Sequence, residues 1–93
     1  MKLTSEMIRA ARALLRWNQE ELAEATDLAL ATVKRLEKEH GPIAGRLSTA
    51  LAIEGAFTRA GIEFIYDRGE GVIRLKSSAA AGAKQGSKKR ARK

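Results

Sequence analysis

The chain has 93 residues, no cysteine and a single histidine, His40. That length supports one small core, and the missing cysteines exclude a disulfide frame and a Cys-based zinc site. One histidine excludes His-pair metal sites and a Ser-His-Asp triad with a spare base, so no cofactor is expected. The net charge of +7 is uneven: residues 77–93 hold six basic residues and no acid, whereas the remainder carries twelve basic against eleven acidic residues. The high isoelectric point is therefore a property of the tail and does not by itself identify the folded part as a binder of anions.

From the N-terminus, Met7, Ile8, Ala11, Leu14 and Leu15 recur at helical spacing and predict a helix over 6–17, with Thr4 or Ser5 as its cap. Arg9, Arg12 and Arg16 fall on the other side. They also interrupt the apolar stretch a signal peptide needs, and no apolar run approaches the roughly 18 residues of a membrane span. The expectation is a protein of the cytoplasm, associated with the nucleoid and without membrane contact. Trp17 reads as a hydrophobic staple ahead of the next cap.

Asn18 is a favourable N-cap and Glu21, three places on, is its capping-box partner. A helix over 19–25 follows, with Leu22 and Ala23 inward and the glutamates suiting the positive end of the helix dipole. Thr26 and Asp27 form a turn; aspartate tolerates the left-handed backbone better than most residues. Leu28 closes the space between this helix and the next, predicted over 30–38. There Val33 and Leu36 face inward and Ala31, Lys34 and Arg35 outward. Ala29 stands where a Ser or Thr cap would be usual, a loss of about 1 kcal/mol unless Asp27 caps from further back.

Two short helices around a tight turn are the geometry that places a second helix in the DNA major groove. The stretch Gln19-Glu-Glu-Leu-Ala and the stretch Thr32-Val-Lys-Arg-Leu-Glu37 resemble the lambda-repressor/Cro (XRE-type) helix-turn-helix family, and the resemblance extends over roughly residues 8–60. It implies a mainly α fold, a bundle of four to five short helices that binds operator DNA as a dimer. It further implies that Gln19 touches a phosphate while Leu30, Ala31, Lys34 and Arg35 face the groove. Arginine bridges the two acceptors of guanine, which singles out Arg35, whereas Leu30 and Ala31 suit thymine methyl groups. Thr32, Lys38 and Arg46 are further phosphate candidates, Arg46 because it precedes a helix start that favours anions. Arg12 and Arg16 are expected to pair with acids, and His40 to be a loop residue.

Gly41-Pro42 breaks the third helix. A longer helix from Ile43 or Gly45 to Ala60 follows, with Leu47, Leu51, Ile53 or Ala50, and Phe57 expected inward, and Gly61 as its left-handed stop. Residues 62–66 and 72–75 then read as a hairpin about the turn 67–71. A lone hairpin is marginal in water, so it packs on the helices or pairs edge to edge in a homodimer; because both faces of its first strand carry apolar residues, the homodimer is the expectation. From Ser77 the composition is that of a disordered tail, in which Lys84, Lys88, Lys89, Arg90, Arg92 and Lys93 would add non-specific attraction to phosphates.

The sequence thus divides into a helix-turn-helix domain (1–61), a hairpin (62–76) and a basic tail (77–93). The leading expectation is a non-enzymatic, sequence-specific regulator of transcription that binds double-stranded DNA. A protein-interaction module of the antitoxin or anti-activator kind, masking a protein partner with the same scaffold, is the alternative. A nucleoid-type binder working through the tail is a third.

Overall fold

Short-range hydrogen bonds set both ends of the first two helices. Thr4 is extended, and its hydroxyl accepts the N–H of Met7 at 3.1 Å, opening α1 (Ser5–Leu15). Arg16 closes α1 in the left-handed region at φ 60°, two residues earlier than the apolar pattern predicts. Asn18 and Glu21 form the reciprocal capping box that starts α2 (Gln19–Thr26). Asp27 ends it at φ 60°, with its N–H turned back to the carbonyls of Ala23 and Glu24. Helix α3 (Leu30–Lys38) starts at Ala29 without any side-chain cap, so Asp27 does not cap it.

Helix α4 (Leu47–Arg59) begins later than its sequence implies, and residues 43–46 lie in the connection. Gly61 follows its C-cap at φ 97°, the left-handed stop anticipated there. The chain then forms strands β1 (Ile62–Ile65) and β2 (Gly71–Arg74), paired antiparallel with Ile62 opposite Arg74 and Phe64 opposite Val72. This is the computed structural model of residues 2–76; the basic tail lies outside the described residues.

The core draws on every helix and on β1. Met7, Ile8 and Ala11 of α1, Leu22 of α2, Val33 and Leu36 of α3, Ile53 and Phe57 of α4, and Ile62 are all buried. A run of aromatic contacts extends it: Trp17 stacks on Phe57 at 5.5 Å, Phe57 meets Phe64 edge-on at 6.0 Å, and Phe64 stacks with Tyr66 at 6.3 Å, all within the favourable range for ring pairs. Trp17 is thus a packing residue.

The hairpin lies on the helices, β1 against α4 and β2 against α1. Arg74 fastens it by donating to the Leu14 carbonyl at 2.6 Å. Its own helices therefore supply the support that a two-stranded ribbon lacks in water.

Two inward assignments are overturned. Leu47 is 74% and Leu51 51% exposed. Apolar residues occur around most of α4, and the side that packs is the one bearing Ile53, Ala56 and Phe57. Docking of β1 and α2 against that side leaves the two leucines outside.

Candidate nucleic-acid interface

Helix α3 has two unlike sides. Val33, Leu36 and Glu37 are buried, whereas Ala31, Lys34, Arg35 and Lys38 are exposed. At 100° per residue the four exposed positions share one face, opposite the buried three. Leu30 departs from the expectation: it is half-buried and packs on the core, so it flanks that face and anchors the start of the helix. Thr32 is the half-buried flank on the other side.

The back of α3 is held by polar contacts that sequence reasoning did not find. Glu37 is only 5% exposed. Its carboxylate accepts Arg12 Nε at 2.6 Å and Arg12 Nη2 at 2.7 Å, a two-pronged pair between α1 and α3. Arg12 also donates to the Trp17 carbonyl at 2.9 Å. The hydrogen bond to Glu37 raises the Arg12 pKa above its ordinary value, with desolvation opposing it. Arg12 thus pairs with an acid, as expected, but with a buried one.

Gln19 joins the same cluster, donating Nε2 to Glu37 Oε1 at 3.2 Å. One of its two amide N–H groups is therefore directed at protein, which alters its expected role: it links α2 to α3, and a phosphate would meet only what is left of the amide.

Further contacts secure the C-terminal end of α3. The Ser5 hydroxyl donates to the Leu36 carbonyl at 2.6 Å, and Arg9 donates to the carbonyls of Glu37 and Glu39. A guanidinium there matches the negative end of the helix dipole. The loop beyond is tied to the N-terminal segment: Ser5 N–H donates to the Gly41 carbonyl at 3.0 Å and Ile43 N–H to that of Leu3 at 3.1 Å. Glu6 accepts the Gly41 N–H at 3.0 Å and lies 3.4 Å from His40. The backbone hydrogen bond from Gly41 is the main cause that holds the Glu6 carboxyl below its ordinary pKa. His40 is a loop residue, with a largely exposed side chain.

The signal for Glu37 was present in the sequence, since it stands one helical turn after Val33 on the inward side. Its charge disguised it, because an acid at a core position is rare without a partner.

At its other end α3 is open. Neither Ala29 nor Arg46, the residues before α3 and α4, provides a side-chain cap. Arg46 is exposed. Lys34, Arg35 and Lys38 share the open face of α3, and an uncapped helix start is where backbone N–H groups and the dipole favour an anion.

Arg16 is exposed at its left-handed position. The tail candidates Lys84, Lys88, Lys89, Arg90, Arg92 and Lys93 lie outside the described residues.

Among the described residues no group of three His, Asp or Glu side chains is arranged to hold a metal ion, and no helix is long and apolar enough to cross a membrane. No protein-family model matches the chain, and no curated protein is significantly similar to it in sequence.

Proposed function

We propose that the chain is a sequence-specific, non-enzymatic DNA-binding regulator of transcription, of the lambda-repressor/Cro kind, which reads the major groove with α3. The observation that carries this reading is the two-sided α3. One side is pinned by Glu37, Arg12, Ser5 and Arg9, and the other presents Ala31, Lys34, Arg35 and Lys38 to solvent. A rigid helix with an exposed cationic face meets the requirement for reading base edges, because groove contacts lose discrimination when the helix can rock.

In this reading Arg35 carries base preference and Ala31 meets a thymine methyl, with Leu30 at the edge of the contact. Lys34 is the second base-contacting side chain. Lys38 and Thr32 engage phosphates, with Gln19 assisting through what is left of its amide, and the basic tail adds affinity for any sequence. A two-fold homodimer would read half-sites about one helical turn apart, and the site of action would be the nucleoid in the cytoplasm.

Selection of bound sequences from a random duplex pool, followed by titration of Arg35→Ala against the winning site, tests the proposal. The expected loss is about 1–3 kcal/mol, confined to particular base pairs. Unchanged affinity and unchanged preference would overturn it. The near-neutral folded part, with twelve basic and eleven acidic residues before the tail, favours a second reading in which the scaffold masks a protein partner. That reading gains if the selection yields no motif.

A further inference from the structure

One face of α4 is left largely open by its neighbours. Leu47, Leu51, Glu54 and Thr58 follow one another at spacings of four, three and four, and so share a side. Its N-terminal half carries the two exposed leucines. Its C-terminal half borders a groove of about 330 Å³, with Ile62, Phe64, Tyr66 and Leu75 as apolar walls and the carboxylates of Glu54 and Glu63 at its rim. The Tyr66 hydroxyl donates to Glu54 and so steadies that rim. Projecting apolar groups and an apolar recess thus lie on the same side of one helix, about 10 Å apart along its axis.

We infer that this face binds a second copy of the chain, with two α4 helices antiparallel and Leu47 and Leu51 of each seated in the other's groove. A two-fold pairing requires a self-complementary patch, and only the antiparallel arrangement sets the N-terminal half of one α4 against the C-terminal half of the other. Charge agrees with shape. Arg46 is exposed beside Leu47, whereas the groove carries Glu54 and the exposed Glu63, so the same arrangement places a cation at an acidic rim twice over. The face is about 20 Å long, at the small end of specific interfaces, and the dimer is expected to dissociate on the order of micromolar.

The inference deepens the reading of the chain as a DNA-binding dimer by naming the surface that joins the two copies. Self-association is measured without DNA, so either idea can fail while the other stands.

The full chain is followed by sedimentation equilibrium up to on the order of 100 µM. The wild type is expected to be dimeric there, and the doubly substituted Leu47→Glu, Leu51→Glu chain to associate more than about tenfold more weakly with an unchanged circular dichroism spectrum. Because the chain has no cysteine, single cysteines give a second, independent measurement. A mixture of Leu47→Cys and Thr58→Cys chains should be joined by a short bismaleimide, and Leu47→Cys alone should not. This readout decides the matter if the glutamate variant fails to fold. A monomeric wild type, an unweakened glutamate variant, or cross-linking only through Ile73→Cys on the hairpin edge would each overturn the inference.

Discussion

Replacing Glu37 with alanine probes the contact on which the rigidity of α3 depends. In the native fold the side chain is 4% exposed and accepts two hydrogen bonds from Arg12 and one from Gln19. Removing one partner of a buried ion pair costs about 3–5 kcal/mol, because the other charge stays desolvated. The Arg12 side chain is 20% exposed and can draw some water, which places the loss at the lower limit, about 3 kcal/mol. A domain of roughly 75 residues has a total stability of roughly 4–11 kcal/mol, so the variant keeps only part of its margin. Its melting temperature should fall by roughly 12–24 °C. Urea denaturation of Glu37→Ala, Arg12→Ala and the double variant, followed by circular dichroism, measures the pair directly. The two losses should overlap by about 1–3 kcal/mol, since either substitution alone removes the contact. Glu37→Gln keeps an acceptor oxygen and should lose less than Glu37→Ala. A loss under about 1 kcal/mol for Glu37→Ala, or strict additivity with Arg12→Ala, would refute the view that this pair holds α3 in place.

Ending the chain at Lys76 should weaken DNA binding for all sequences alike and flatten the dependence of log affinity on log salt by at most about 5, as read in titrations at several salt concentrations; a loss of base preference would contradict that role. The Tyr66 phenol has its pKa pushed above the ordinary 10.0, chiefly by burial and then by its hydrogen bond to Glu54. Its contribution to stability is complete below pH 10 and declines as the pH rises past that value, because the unfolded phenol ionises first. The urea midpoint of the wild type should therefore fall between about pH 9 and about pH 11 by more than that of Tyr66→Phe. Arg16 occupies the left-handed region at φ 60°, at a cost of roughly 1–2 kcal/mol for a residue with a Cβ. Arg16→Gly should raise stability by about 0.5–1 kcal/mol once the greater entropy of unfolded glycine is counted; a destabilised variant would show that the arginine side chain contributes more than the backbone loses.

The features legible in the sequence were those settled within a few residues. The Asn18–Glu21 capping box, the left-handed Asp27, the extent of α3 and the stop at Gly61 all depend on hydrogen bonds and backbone preferences spanning no more than a turn of chain. The hairpin was recognisable for the same reason, although its first strand is one residue shorter than expected and its second begins and ends one residue earlier, because Gly71 pairs with Ile65. The face of α3 followed from its period, since Val33 and Leu36 fall on one side of it and Lys34, Arg35 and Lys38 on the other.

Helix α4 had no such signal. Its apolar residues are spread around the helix, so whether Leu47 or Ile53 lies inside is decided by which surface α2 and β1 cover. The pairing of Arg12 with Glu37 was likewise hidden, because it joins residues 25 apart and an acid can be buried only after another helix has brought its cation alongside. Local chemistry therefore determined which elements form and, to within a few residues, where they start and stop. Their packing against one another decided which charges became structural and which leucines stayed at the surface, because burial is a property of neighbours that only the folded chain assembles.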